Sequence, residues 1–240
     1  HVIAEVAGGL HAAHELSDDE GRRLELVHRD VSPQNVFIGY DGSVKVLDFG
    51  IAVVRDRSTK TETGHIRGKF EYMSPEQCAA KALDRRSDLF SLGIVLFELS
   101  TGTRLFKRKN QLQVMRAIVD DPVPAPPSLV EGYPAALAEV VLRALERDCD
   151  DRYQTAADMR RDLIRVGRSL GDGELPEEAL AALMGELFEE RKLEKAEMLR
   201  RLSGSWHSVY GGACIIWPER GLDVSVVERT RVRFRSLSQG

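Results

Sequence analysis

The stretch "DLFSLGIVLFELST", residues 88–101, constrains the fold more than any other part of this 240-residue sequence. Leu89, Phe90, Leu92, Ile94, Val95, Leu96, Phe97 and Leu99 leave no continuous polar face at helical spacing. A helix that is apolar nearly all round has to be enclosed, so it belongs at the centre of a domain. Asp88 stands at its start, where a carboxylate can cap free N–H groups. Gly102 follows its end, the usual place for a helix-stopping glycine.

The rest of the sequence offers material to surround such a rod. Val2, Ile3, Val6, Ala7, Leu10 and Ala13 recur at helical spacing and predict an amphipathic helix over residues 2–16. Gly8 and Gly9 weaken it by about 1 kcal/mol each relative to alanine. Further helices are expected at about 111–120, at 135–146 after the proline-rich stretch 122–127, and at 155–167. The last of these opens on Thr155-Ala-Ala-Asp158, a capping-box pattern. Two short strands, 36–39 and 44–47, flank Tyr40-Asp41-Gly42-Ser43, and Asp-Gly is a strong hairpin signal. Residues 17–25 read as a polar loop, and residues 55–69 as a long polar loop without periodicity. Loops of that length in compact domains are usually functional or disordered. The fold class expected is α+β, predominantly helical, with a short β-hairpin.

Composition excludes some classes of function. The formal charge of −4 gives no global drive toward nucleic acid or an anionic membrane. No apolar run approaches the roughly 18 residues of a membrane span. Cys78, Cys149 and Cys214 are odd in number and lack C-x-x-C spacing, so neither a metal nor a disulfide framework is expected, and a reducing cytoplasm is the default location. The sequence opens on His1 with the helical pattern already under way, and is therefore expected to be a piece of a longer chain.

The chemistry-bearing residues lie between the first helix and the central one. His28-Arg29-Asp30 is followed by Asn35, five residues after the aspartate, and then by Asp48-Phe49-Gly50 across the hairpin. Ser74-Pro75-Glu76 and the late Arg152 in "RDCDDRYQTAADM" complete an ordered set. This set resembles the catalytic and metal-binding loops of eukaryotic-type protein kinases, with Ser74-Pro75-Glu76 similar to their A-P-E motif and the helix from Asp88 similar to the central helix of their C-terminal lobe. "HRDVSPQN" and "YMSPEQ" look like the bacterial branch of the serine/threonine kinases. The resemblance covers about residues 1–167.

The resemblance implies roles. Asp30 would be the base or orienting acceptor for a substrate hydroxyl, and Asn35 and Asp48 would supply hard oxygen ligands to the magnesium (Mg2+) that accompanies ATP. His28, Phe49 and Gly50 would be structural, and Gly50 would give the loop freedom beside Asp48. Arg29 would receive a phosphorylated activation loop, with Ser58, Thr59, Thr61 and Thr63 as the candidate phosphosites. Glu76 and Arg152 would form a buried ion pair. Serine/threonine members usually carry Lys two residues after the catalytic Asp and Thr after the Gly that precedes the A-P-E segment. Here those positions hold Ser32 and Lys69. The expectation is an exchange, in which Lys69 supplies the cation near the γ-phosphate and Ser32 the hydroxyl contact to Asp30.

The division expected is a kinase-like C-terminal lobe over 1–167, a linker and amphipathic helical extension over 168–203, and an unassigned, possibly disordered tail over 204–240. Leucines of the 177–202 stretch call for a partner surface. The first lysine is Lys45, and no G-x-G-x-x-G loop occurs, so these residues alone are expected to bind ATP poorly and transfer little phosphate. The function expected is phosphoryl transfer from ATP to Ser/Thr hydroxyls of protein substrates. The alternative is a non-catalytic kinase-like interaction module, a pseudokinase or truncated product. Retention of Asp30, Asn35 and Asp48 weighs against it, since a scaffold has no chemical need of all three.

Overall fold

The computed structural model describes residues 1–49, 69–171, 176–201 and 212–214. Gly50, Ser58, Thr59, Thr61 and Thr63 lie outside the described residues, as do 172–175 of the expected linker and the strands expected at 224–227 and 232–234. The side chain of Lys69 lies outside them too.

Helices α1 (Val2–His14), α2 (Pro75–Cys78), α3 (Arg85–Thr101), α4 (Gln111–Asp120), α5 (Ala135–Ala144), α6 (Ala156–Leu170) and α7 (Pro176–Arg201) accompany the strands β1 (Val36–Gly39), β2 (Val44–Val46) and β3 (Gly212–Cys214). Every residue of α3 from Ser87 to Glu98 is buried. The sequence pattern places the start of this helix too late. Asp84 is its cap, accepting the Arg86 N–H at 2.8 Å, and Asp88 sits a full turn inside. Gly102 closes the helix in the left-handed conformation at φ 67°, with its N–H on the Glu98 carbonyl at 3.0 Å.

The other helices wrap this rod. α1 lays Ile3, Val6, Ala7 and Leu10 into the core and packs against α3, α6 and β2. Its two glycines have a packing reason. A Cβ on Gly9 would stand 3.2 Å from a methyl of Val46, and one on Gly8 would stand 3.0 Å from Nε of Arg160. α5 brings Val140, Val141 and Ala144 against α3, and α6 adds Met159, Leu163 and Val166. Thr155 caps α6 by accepting the Asp158 N–H at 3.1 Å and donating its hydroxyl to the Asp158 carboxylate at 2.6 Å.

β1 and β2 form an antiparallel hairpin in the register Val36↔Val46 and Ile38↔Val44. Asp41 organises the turn by accepting the Ser43 N–H and hydroxyl at 3.0 and 2.7 Å. β3 pairs antiparallel with the other edge of β1, so the strand order is β2-β1-β3. This places three residues of the otherwise unassigned tail beside the hairpin.

The extension also meets the hairpin. α7 is two helices joined at a break at Phe188 (φ −132°, ψ 21°). Met184 and Phe188 are buried, and Phe188 meets the Tyr40 ring with centroids 6.4 Å apart. Gly42, at φ 82°, lies directly under the Glu177 carbonyl, where a Cβ has no room. The first half of α7 therefore finds a partner surface on its own chain, while Leu183, Leu187 and Leu193 stay exposed. No helix among the described residues is long and apolar enough to cross a membrane.

The tightest approach to the central helix is at Gly93, where a Cβ would lie 2.9 Å from the Ala144 Cβ and 3.2 Å from the Leu145 side chain. Overpacking of such a contact costs about 1–3 kcal/mol. Gly93→Val is expected to lower stability by about that amount in urea unfolding, and an unchanged midpoint would contradict this packing.

Candidate active site

The loop that carries His28, Arg29 and Asp30 is held from below by α3. Asp88, only 1% exposed, accepts the His28 N–H on Oδ2 and the Arg29 N–H on Oδ1, both at 2.8 Å. Its Oδ2 also takes Nε2–H of His14, at the end of α1, at 2.7 Å. An ionised carboxylate in a dry interior needs such donors, and three of them come from two separate segments here. Between them they clamp Arg29 in the left-handed region at φ 66°. That conformation costs a non-glycine residue roughly 1–2 kcal/mol, so it persists only where its surroundings dictate it. The Arg29 carbonyl is held in turn by Nε2–H of Gln77 at 2.9 Å, which links this loop to the Ser74-Pro75-Glu76 segment.

His28 is fully buried and joins two parts of the site. Its Nδ1 accepts the Asp30 N–H at 3.3 Å, which assigns the proton to Nε2, and Nε2–H donates to the Leu47 carbonyl at 2.9 Å. Its ring rests on Phe49, with centroids 4.5 Å apart. The Leu47 N–H donates to the Asn35 carbonyl at 2.8 Å. Leu47 is thus gripped on both sides, and the next residue, Asp48, is set in the left-handed region at φ 55°.

Asn35 closes the arrangement. It ends a 3-10 turn, Pro33–Asn35, that starts from Ser32, whose carbonyl accepts the Asn35 N–H at 3.0 Å. The turn folds the amide back, so that Nδ2–H donates to the Asp30 carbonyl at 2.7 Å and to Oδ2 of Asp30 at 3.0 Å. Both donors are spent on Asp30, and the amide oxygen is the atom left to face a cation. Ser32 is 5% exposed at the head of this turn, and its hydroxyl does not cap it. Lys69 opens another 3-10 turn, Lys69–Tyr72, which leads into the capping box of α2 at Ser74.

Two buried ionic clusters anchor that second segment. Arg152, with its side chain wholly buried, forks onto Glu76 at 2.7 and 2.9 Å. It also donates to the carbonyls of Arg86, Glu146 and Arg147, so all five N–H groups are used. Burial pushes the Glu76 carboxyl up, but the hydrogen bond and charge of Arg152 outweigh this and hold it below the usual range.

The second cluster was not singled out from the sequence. Glu98 on α3 accepts the Tyr72 hydroxyl at 2.8 Å and the Leu105 N–H at 3.1 Å. Arg104 stands 3.6 Å from Glu98 and pairs with Glu71. Burial drives the Glu98 carboxyl up to about 7, against the pull of Arg104 and the two donors. Its one sequence signal is an acid set among the apolar residues of the second half of α3.

Comparison with known proteins follows the same residues. The protein kinase domain model matches residues 1–163. The tyrosine-protein kinase MasK of Myxococcus xanthus is 40% identical over 217 residues, which cover 88% of this chain and 32% of MasK. Two serine/threonine-protein kinases PknB are also similar. That of Mycobacterium leprae is 44% identical over 143 residues (59% of this chain, 23% of the relative). That of Mycobacterium tuberculosis is 40% identical over 179 residues (73% of this chain, 26% of the relative). The chain thus spans about a third or less of the length of these curated relatives.

Removing one partner of a buried ion pair costs about 3–5 kcal/mol, because the other charge stays behind. Glu76→Gln is therefore expected to destabilise the protein by about that much in denaturant titration. Glu98 predicts a pH dependence of the opposite kind. Its carboxyl ionises in the unfolded chain near pH 4.5 and in the folded chain near 7, so the unfolded state sheds its proton first. Stability should fall as pH rises between those values and level off above them. Melting curves across this window should show the slope in the wild type and lose most of it in Glu98→Gln.

Proposed function

This chain belongs to the protein kinase family, and from that premise we propose that it forms the catalytic-loop lobe of an enzyme that moves the γ-phosphoryl group of ATP onto Ser/Thr hydroxyls of protein substrates. The observation that carries the reading is Asn35, whose side-chain amide spends both donors on Asp30 while its backbone carbonyl takes the N–H of the residue before Asp48. A purely structural turn has no need of a carboxylate held by both donors of one amide.

In this reading the Asp30 carboxylate, held in orientation by Asn35, receives the proton of the substrate hydroxyl. The hydroxyl oxygen forms the new bond to the γ-phosphorus as the bond to the bridging oxygen breaks, and ADP leaves with that oxygen. Asn35 and Asp48 fit Mg2+, since both offer hard oxygen donors. When bound, the ion neutralises charge on the phosphates. Lys69 supplies a further cation near the transferring group, and Ser32 its hydroxyl contact to Asp30. Arg29, its backbone already fixed, offers its guanidinium to a phosphorylated residue among Ser58, Thr59, Thr61 and Thr63.

The reaction also requires a glycine-rich loop and an upstream lysine, which these 240 residues do not contain. Taken alone they should transfer little phosphate. Three cysteines without C-x-x-C spacing support a reducing cytoplasm as the place of action. Ser/Thr specificity rests on the "SPQN" stretch and the PknB relatives, and MasK, named a tyrosine kinase, makes it a question for experiment.

In the full-length protein, radiolabelled ATP should yield phosphoserine or phosphothreonine, and Asp30→Asn should lower the rate by at least about 100-fold, the lower end of what a positioned acid or base contributes. Phosphotyrosine alone would overturn the hydroxyl assignment. Lys69→Thr should cripple turnover, and adding Ser32→Lys should restore much of it. A double variant no better than the single one would end the exchange reading.

A further inference from the structure

α1, β2 and α6 enclose a cleft of about 1040 Å³. Its wall reaches Phe49 but includes none of Asp30, Asn35 or Asp48, and the phosphoryl-transfer reading gives it no role. The floor is apolar, formed by Val44, Val46, Phe49 and Ile164. The rim is basic. Arg161, Arg165 and Arg168 follow one another at i, i+4 and i+7 on α6, a single stripe about 10 Å long at 1.5 Å per residue. Lys45 of β2 joins the wall, and among the described residues Glu5 is the only carboxylate in it.

Among the described residues, the paired arginines of α6 keep donors beyond their internal pairs. Arg160 gives one bond to Glu5 at 3.0 Å, Arg161 one to Asp158 at 2.7 Å, and Arg165 one to Asp162 at 3.0 Å. Each guanidinium has five donors. The side chains of Arg161 and Arg165 are 63% and 72% exposed, and pairs of that kind hold weakly enough for a ligand to compete. Two nitrogens of the wall, Nε of Arg160 and Nδ1 of His11, are buried without a hydrogen-bond partner among the described residues.

We propose that this cleft docks an acidic, amphipathic peptide segment of a partner protein. A single phosphate group spans too little to engage a 10 Å row of guanidiniums, and it would leave the apolar floor uncovered. A peptide with carboxylates about one helical turn apart and an apolar side chain between them answers both the rim and the floor. The docking is separate from phosphoryl transfer, and its test does not depend on turnover.

The test uses the full-length protein and a fluorescein-labelled peptide, Glu-Glu-Leu-Glu-Glu-Leu-Glu-Glu, followed by fluorescence anisotropy. Binding should weaken as salt rises. Arg165→Glu with Arg168→Glu should weaken it at least tenfold, and replacing the peptide leucines by serine should also weaken it severalfold. Lys109→Glu with Arg116→Glu, the same change of charge on and before α4, should leave it within twofold. Circular dichroism melts confirm that both variants are folded. Equal losses from the two variants would reduce the effect to net charge and overturn the proposal. So would undetectable binding, or tighter binding of a singly phosphorylated peptide without acidic residues.

Discussion

Asp88 is a carboxylate in the interior of a mostly apolar helix, and the geometry of the His28–Asp30 loop depends on how its charge is satisfied. Its oxygens take the backbone N–H groups of His28 and Arg29 and the ring N–H of His14. Removing those donors would leave a buried anion unpaired, and removing the anion would release a backbone held at positive φ. The cost of burying charge is therefore what holds this loop in its conformation. From it the rest follows in sequence: His28 reaches Leu47, Leu47 reaches Asn35, and Asn35 reaches Asp30.

The parts of the fold with local causes were readable from the sequence. The all-apolar run could only be a central helix, the Asp-Gly turn could only be tight, and the five-residue spacing from Asp30 to Asn35 is short enough for one 3-10 turn to span. What could not be read depends on distant partners. Asp88 looked like a helix cap because the apolar run starts after it, whereas the true cap, Asp84, sits one turn earlier behind two arginines. Its real partners lie 59, 60 and 74 residues away, beyond any local pattern. Glu98, Tyr72 and Arg104 escaped notice for the same reason, and β3 is too short to show a period.

The extension illustrates a different limit. The leucines of α7 announced a need for a partner, but not which one. The hairpin provides part of it, through Tyr40 and the bare backbone of Gly42. The similarity to MasK covers 88% of the chain, and so continues past the 163 residues of the family match. The segment that rests on the hairpin is thus tied to the kinase lobe both by contact and by shared descent.

One consequence of the enclosed central helix concerns how the lobe can be cut. α3 has no side that tolerates water from Ser87 to Glu98. Its cover is contributed from both directions along the chain, by α1 before it and α5 after it. A protease nick or a split-reporter junction between α3 and α5 would separate a greasy rod from half its sheath. Neither piece could then exist as a well-behaved monomer, and complementation between them would have to start from aggregated halves.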